Sequence, residues 1–240
     1  MAMTTTPIDE SLEAAKERGW REMAAINEAH AQGELDDAGW HRAVASLIVP
    51  AYVDAKTLQG GSGHTGTADD WEWSRGIIVE AIDRSGTFLD VGCANGLLME
   101  SVARWGAARG FALEPHGVDI SPELAALARK RLARWADRID VGNALGYVPS
   151  QRFDFVRVGL EYVPVPRRRD LVAWLLDRVV APGGRLLVGK FNEETTTRTT
   201  ENDLREWGFA VSGAVERAHR TEPRIAYRLL WIDRVTSRPR

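Results

Sequence analysis

Phe88-Leu89-Asp90-Val91-Gly92-Cys93-Ala94-Asn95-Gly96 is the stretch of this 240-residue chain that decides its fold. The apolar first half predicts a buried strand, and the small residues after it predict a tight turn that opens a helix. Gly92 and Gly96 lack a Cβ, so they let the backbone come close to a ligand, and the helix that follows offers unpaired N–H groups. The stretch therefore predicts a nucleoside-binding turn, with an ordinary strand-to-helix turn as the alternative.

Four more apolar runs follow, and helical segments separate most of them. The runs are Gly117 to Ile120, Arg138 to Val141, Phe153 to Val158 and Arg185 to Phe191. Helices are predicted at Asp70 to Ile82, Gly96 to Trp105, Pro122 to Trp135 and Pro166 to Val180. Apolar strands separated by helices predict a parallel sheet that is covered by helices on both faces.

The last part of the chain departs from this alternation. A short helix near Asn202 to Trp207 precedes two predicted strands, Phe209 to Glu216 and Arg224 to Asp233, with only a loop between them. Strands joined in this way form an antiparallel hairpin, which we expect at one edge of the sheet. The fold class is therefore α/β, a Rossmann-like parallel sheet of about seven strands with an antiparallel C-terminal hairpin and helices on both faces.

Two helices and a glycine-rich loop are predicted before the sheet. Pro7 to Gln32 has helical spacing of apolar residues with Gly33 as its C-terminal cap, and Asp36 to Ile48 ends before Pro50. Gln59 to Thr67 carries four glycines in nine residues and predicts a flexible loop.

This organisation predicts two parts of the chain. Residues 1–67 form an N-terminal helical cap or lid that includes the glycine-rich loop, and residues 68–240 form the domain that binds the ligand. Glycines let a loop adopt several backbone states, as a closing lid requires. A permanently packed cap joined by a plain linker is the alternative.

Asp119 supplies a second element of the predicted binding site. Val118-Asp119-Ile120 ends the strand after the nucleoside-binding turn, and Ser121 begins a capped helix. A carboxylate at the end of this strand accepts hydrogen bonds from both hydroxyls of a ribose. The alternative roles for Asp119 are a surface aspartate or the helix cap, but Ser121 already supplies that cap.

Six stretches, taken in order, resemble the motifs of class I S-adenosylmethionine (SAM)-dependent methyltransferases. They are Asp90 to Gly96 as the first motif, Gly117 to Ser121 as the second, Asp140 to Ala144 as the adenine turn, Phe153 to Val156 as the fourth strand, Leu160 to Val163 as the segment after it, and Ala181 to Leu186 as the turn into the fifth strand. The resemblance runs from about Gly86 to Asp233. It implies that SAM is the cofactor and that the protein is a methyltransferase.

The resemblance also implies which residues bind SAM. They are Asp90, Gly92, Cys93, Ala94, Gly96, Asp119, Ile120, Asn143, Ala144 and Glu161. Asp90 would orient the loop or the ammonium group of SAM. Two positions depart from the family pattern: Ala94 replaces a glycine, and Asn143 replaces the acidic residue often found near the adenine. The spacing from Gly92 to Gly96 lacks the third glycine of the nicotinamide-dependent dehydrogenases, which disfavours that alternative.

Three residues are candidates for the catalytic proton transfer. His64 lies in the glycine-rich loop, and Glu161 and Tyr162 follow the fourth strand, where the carboxyl edge of the sheet places ligands. The alternatives are an exposed loop histidine, a contact of Glu161 with the cofactor, and plain packing of Tyr162. Trp71 is expected in the core at helical spacing, and Trp73, on another face, is the candidate for a wall of the substrate pocket.

Composition narrows the substrate and the setting. The net charge of -3 and the pI near 6.0 disfavour a polyanion, so a small-molecule acceptor methylated at oxygen or nitrogen is expected. A nucleic-acid or protein methyltransferase and a non-catalytic SAM-binding protein are the alternatives. The single Cys93 indicates a reducing, cytoplasmic setting, and no metal site, signal peptide or membrane span is expected. The acceptor and the oligomeric state stay open.

Overall fold

The structure is a computed structural model that describes the backbone of residues 7–235, with the side chains of residues 18–191 and 195–235. The chain divides into two compact units, residues 1–51 and 52–240. The glycine-rich loop lies within the larger unit, whereas the sequence analysis grouped it with the N-terminal helices. No helix within the described residues is long and apolar enough to cross a membrane.

The smaller unit contains α1 (Pro7–Ala31) and most of α2 (Asp37–Val53). Gly33, with a φ of 77°, follows the end of α1, and the Asp36 carboxylate caps α2 by accepting a 2.6 Å hydrogen bond from the Gly39 N–H. The prediction that Pro50 stops this helix is wrong, because Pro50 lies inside α2. A proline in the last turn removes a single intrahelical hydrogen bond, so the helix continues to Val53 and ends there.

The larger unit is built on one seven-stranded sheet of order β3-β2-β1-β4-β5-β7-β6. Its strands are β1 (Gly86–Val91), β2 (Leu113–Asp119), β3 (Ile139–Val141), β4 (Phe153–Val158), β5 (Val180–Glu194), β6 (Gly213–Ala218) and β7 (Ile225–Asp233). β1 to β5 pair in parallel, β7 is antiparallel to β5, and β6 is antiparallel to β7. The predicted parallel sheet with an antiparallel hairpin at its edge is confirmed.

The helices of this unit connect the strands. They are α3 (Ala68–Arg75), α4 (Leu97–Ala108), α5 (Pro122–Arg131), α6 (Arg168–Trp174) and α7 (Thr199–Glu206). The predicted helix from Asp70 to Ile82 is α3 followed by a tighter 3-10 helix at Gly76–Ala81. Thr67 begins α3 with a reciprocal cap, since its hydroxyl accepts from the Asp70 N–H and the Asp70 carboxylate accepts from the Thr67 N–H.

Both faces of the central strands are apolar, which explains why helices cover both. Leu89 lies in one buried cluster with Leu171 of α6, and Phe88 lies in another with Val102 of α4. The order of the strands reverses between β1 and β4, and in such sheets ligands bind beyond the carboxyl ends of the strands at this reversal. A ligand site is therefore expected at the loops that follow β1, β2 and β4.

Candidate cofactor and acceptor site

The loop from Gly92 to Gly96, here called the cofactor loop, is anchored on the end of β2. The N–H groups of Gly92 and Cys93 donate to the carbonyl of Val118 at 2.8 and 3.1 Å. Gly92 has a φ of 73°, and a Cβ added there would lie 2.8 Å from the ring of Tyr162. Glycine is therefore required at this position by both the backbone conformation and the close approach.

Ala94 adopts a left-handed conformation with a φ of 47°, which is unfavourable for a residue with a Cβ. This is the position where the methyltransferases that the chain resembles carry their middle glycine. A hydrogen bond of 2.8 Å from the Ala94 N–H to Asp119 Oδ2 holds the strained backbone in place. The departure noted in the sequence is therefore tolerated at a cost of about 1–2 kcal/mol in backbone energy.

Asp119 lies at the end of β2 with only 6% of its surface exposed. Its second oxygen, Oδ1, accepts a hydrogen bond of 2.9 Å from the Ser121 N–H, and the Ser121 hydroxyl caps α5 at the Leu124 N–H. Burial raises the pKa of Asp119, and the two backbone hydrogen bonds oppose that rise. A carboxylate oxygen accepts more than one hydrogen bond, so both oxygens keep capacity for the hydroxyls of a ribose.

Asp90 pairs with an arginine that the sequence analysis did not single out. Asp90 on β1 and Arg157 on β4 are register partners, and Arg157 Nη1 lies 3.4 Å from Asp90 Oδ1. Both side chains are buried, and burial raises the pKa of Asp90 to about 7 against the opposing charge of Arg157. The same Nη1 donates to the Tyr162 hydroxyl at 2.7 Å, which joins β1 to the segment after β4.

Arg75, the last residue of α3, brings a second guanidinium to this region. Its Cζ lies 3.8 Å from the ring centroid of Phe191, and no described side chain forms a hydrogen bond or ion pair with it. Burial, followed by the charge of Arg157, lowers the pKa of Arg75 to about 10, so it stays charged at neutral pH. A guanidinium that stacks on a ring keeps its N–H donors free in its own plane, where they can bind a carboxylate.

The three catalytic candidates lie in different surroundings. Glu161 is exposed and folds back over Gly159, where an added Cβ would clash with the Glu161 carboxylate. Burial raises the pKa of Tyr162, so its hydroxyl keeps its proton at neutral pH. Burial and Arg75 lower the pKa of His64 to about 4, and its ring packs edge-on against Trp71.

Tyr52 lies within the electrostatic influence of several residues of the candidate site. Burial raises the pKa of the Tyr52 phenol, and the charges that act on it are those of Glu161, Asp119, Arg75 and Arg157. Tyr52 therefore lies near Asp119 at the end of β2, and near Arg157 of β4 and Glu161 after it. The Nε2 atom of His64 is buried without a hydrogen-bond partner among the described residues.

Four further residues were predicted to bind the cofactor: Ile120, Asn143, Ala144 and Cys93. Ile120 is 40% exposed, an unusual exposure for a large apolar side chain beside a buried strand. Asn143 Oδ1 accepts from the Leu145 N–H at 3.0 Å, which leaves its amide N–H donors available, and Ala144 is buried. Burial raises the pKa of Cys93 well above its usual value, so its thiol stays neutral.

Trp71 and Trp73 separate as the helical spacing predicts. Trp71 is buried and donates to the Ser101 hydroxyl at 3.0 Å. Trp73 donates to the Ala218 carbonyl at 2.9 Å and is flanked by the guanidinium of Arg217, so it fastens α3 to the C-terminal hairpin. The candidate wall of a substrate pocket is thus a surface contact with β6.

Arg157 and Arg75 are the functional candidates that sequence reasoning missed. Arg157 had a signal, because it is a charge inside the otherwise buried strand Phe153–Val158, and buried charges are rare unless they are paired. Arg75 had none, since a basic residue in the last turn of a helix is ordinary. Within the described residues, no group of three or more His, Cys, Asp or Glu side chains is placed to hold a metal ion.

The sheet order and the loop after β1 are those that the resemblance to class I SAM-dependent methyltransferases predicts. Residues 88–184 match the family model of a methyltransferase domain, so the chain carries such a domain.

A curated relative is the "Ubiquinone biosynthesis O-methyltransferase" of Xanthomonas oryzae pv. oryzae. It is 33% identical over 110 residues, which cover 43% of this chain and 42% of the relative. The chain thus matches less than half the length of this relative.

Two solved structures share the fold. The 1,6-didemethyltoxoflavin-N1-methyltransferase of Burkholderia thailandensis, solved with bound 1,6-didemethyltoxoflavin and S-adenosylhomocysteine, is 16% identical, with a TM-score of 0.61 over 84% of this chain and 91% of that chain. The [4+2]-cyclase SpnF is 18% identical, with a TM-score of 0.53 over 68% of this chain and 80% of that chain. At these identities the likeness shows the fold alone.

Proposed function

We propose that this protein transfers the methyl group of SAM to a small-molecule acceptor at oxygen or nitrogen. The observation that carries the proposal is that Asp119 holds the cofactor loop, while Arg75, which no described side chain pairs with, lies close enough for its charge to act on Asp90 of β1. Each of these groups suits one part of SAM. Asp119 accepts hydrogen bonds from the ribose hydroxyls, the backbone at Gly92 allows the cofactor to approach closely, and Arg75 binds the carboxylate.

The remaining groups of the site complete the proposed binding of the cofactor. Ile120 and Ala144 supply apolar surface for the adenine, and the amide of Asn143 donates to its edge. Asp90, held by Arg157, lies on the strand that leads into the cofactor loop and attracts the ammonium group. Glu161 faces the same region from the end of β4.

Methyl transfer requires that the acceptor atom is aligned with the methyl group and that the acceptor then loses its proton. Bound SAM supplies a methyl group on a positively charged sulfur; the acceptor's lone pair forms the new bond to the methyl carbon as the carbon–sulfur bond breaks, and S-adenosylhomocysteine leaves. Glu161 or His64 takes the proton that the acceptor loses, and the pKa of about 4 leaves His64 unprotonated at neutral pH. Tyr162 keeps its own proton and serves as a hydrogen-bond donor.

Charge and relatives support a small acceptor. A net charge of -3 provides no broad cationic field for a nucleic acid. The curated relative is an O-methyltransferase, and one structural neighbour is an N1-methyltransferase. A protein methyltransferase and a non-catalytic SAM-binding protein are the second candidates, and the [4+2]-cyclase demonstrates that this fold hosts other chemistry. The cytoplasmic setting and the cap or lid role of residues 1–67 stay predictions.

Two measurements test the proposal. S-adenosylhomocysteine should raise the melting temperature, because a ligand that binds only the native state stabilises it, and NAD is the matched control. Turnover is then followed as S-adenosylhomocysteine released from SAM in the presence of phenols, heterocyclic amines, a histone peptide mixture and RNA. Stabilisation by NAD alone would overturn the cofactor assignment. Turnover on peptide or RNA alone would overturn the acceptor class.

A further inference from the structure

Asn95, the fourth residue of the cofactor loop, reaches out of that loop to a different segment. Its Nδ2 donates to the carbonyl of Leu58 at 2.8 Å, and its Oδ1 accepts from the hydroxyl of Ser62 at 2.6 Å. The side chain is buried, with 3% of the residue exposed. We call residues 58–64 the anchored loop, because both of these hydrogen bonds fix it to Asn95.

The amide of Asn95 is also fixed from the side of the methyltransferase fold. Its Oδ1 accepts from the Leu97 N–H at 3.0 Å, and its backbone carbonyl accepts from Arg131 Nε of α5 at 2.7 Å. Arg131 in turn pairs with Glu100 of α4. The plane of the Asn95 amide therefore depends on the conformation of the cofactor loop and of the first turn of α4.

The anchored loop approaches Asn95 so closely that only glycine fits at the contact. A Cβ on Gly61 would lie 2.6 Å from Asn95 Nδ2, and Gly61 is buried. The loop was expected to be flexible, but it forms a 3-10 turn at Gly60–Ser62. Within it, the His64 N–H donates to the Gln59 carbonyl at 2.9 Å, so the position of His64 is tied to that turn.

We propose that Asn95 is a positioning residue that couples occupancy of the cofactor loop to the placement of the anchored loop and of His64. Both oxygen and nitrogen of its amide are used, so a rotation of that amide breaks the bonds to Leu58 and Ser62 together. A cofactor that fixes the cofactor loop also fixes the amide, so the anchored loop on the acceptor side of the site is held more firmly once the cofactor has bound. This inference rests on the proposed function.

Hydrogen exchange of the protein without ligand tests the anchoring by itself. The amides of Ser62, Gly63 and His64 are hydrogen-bonded within the loop and report its opening. Asn95→Ala should speed their exchange by about tenfold or more, because two hydrogen bonds are lost. Unchanged exchange in Asn95→Ala would overturn the proposal whatever the cofactor does.

The coupling is tested by repeating the exchange with saturating S-adenosylhomocysteine. In the wild-type protein the ligand should slow exchange of the anchored loop, and in Asn95→Ala the ligand should still bind but without this added protection. Equal added protection in both proteins would overturn the coupling. A wild-type protein that binds no S-adenosylhomocysteine would overturn the proposed function, and the unliganded comparison still decides whether Asn95 anchors the loop.

Further variants keep the test decisive if Asn95→Ala does not fold. Ser62→Ala removes one anchoring bond from a partly exposed side chain, and Ser62→Thr should restore the wild-type exchange because it keeps the hydroxyl. Gly61→Ala should open the loop through its contact with Asn95. Gly19→Ala is the matched control, because a Cβ there meets nothing within 4 Å. Fast exchange of the anchored loop in Ser62→Thr together with wild-type exchange in Ser62→Ala would contradict the role of the hydroxyl.

Discussion

Asp119 accepts a hydrogen bond of 2.8 Å from the backbone N–H of Ala94, so the end of β2 holds the strained centre of the cofactor loop. The carboxylate proposed to bind the ribose therefore also shapes the loop that is proposed to lie beside the methionine part of the cofactor. The buried side chain of Asp119 therefore has both a structural role and a proposed binding role.

Asp119→Ala should weaken binding of S-adenosylhomocysteine and also lower the stability of the fold. Loss of charge-assisted hydrogen bonds to a ribose costs roughly 1.5–3 kcal/mol of binding. The Ala94 N–H, left buried without a partner, costs about 1–3 kcal/mol of unfolding free energy. Calorimetry and urea denaturation measure the two effects. Ser121→Ala is the control, since it removes the cap of α5 but should leave the affinity unchanged. Wild-type affinity in Asp119→Ala would place the ribose elsewhere.

Ala94→Gly should stabilise the protein by about 0.5–1 kcal/mol. Glycine removes the left-handed strain at the φ of 47°, and the greater entropy of the unfolded chain offsets part of that gain. Ala126→Gly, on the exposed face of α5, is the same chemical change in a helix and should destabilise by a similar amount. Urea denaturation compares the two variants. A loss of stability in Ala94→Gly would show that the methyl group is needed where it lies.

Arg75→Ala should weaken S-adenosylhomocysteine binding by about tenfold to a hundredfold, because a guanidinium that pairs with a carboxylate contributes roughly 1.5–3 kcal/mol. Methylthioadenosine lacks the amino-acid carboxylate, and its affinity should not change. The exposed Arg109→Ala is the charge-matched control. Titration calorimetry with both ligands gives the comparison. An equal loss for both ligands would mean that Arg75 supports the fold of the site and does not bind the carboxylate.

Cofactor affinity should rise with pH through about 7, because burial raises the pKa of Asp90 to about 7. In the ligand-free protein the folded state binds more protons than the unfolded state between about pH 4 and 7, so this group lowers stability as pH rises across that window. The cationic cofactor favours ionised Asp90, and binding near neutral pH should release a proton. Calorimetry in two buffers of different ionisation enthalpy measures the release. Asp90→Asn should abolish it, and a release that persists there would assign the proton to another group.

The sequence by itself determined the fold and the position of the cofactor loop. Apolar runs and helical spacing identify β1 to β5 because burial on both faces of a parallel sheet leaves little choice of residue. The glycines at positions 92 and 96 identify the turn because few other residues adopt its backbone. The outlines of α2 and α3 were less exact, since a proline in a last turn and a 3-10 continuation depend on neighbouring packing more than on spacing.

Only the tertiary structure decided what surrounds that loop. Asp90 and Arg157 are 67 positions apart and meet because β1 and β4 are neighbours, an adjacency that spacing along the chain does not encode. The guanidinium of Arg75 lies over the ring of Phe191 on β5, and the glycine-rich loop is held as a turn by its hydrogen bond to Asn95. Patterns in a sequence record burial and backbone preference, which are local. Contacts between polar side chains depend on distances that exist only after the strands have paired.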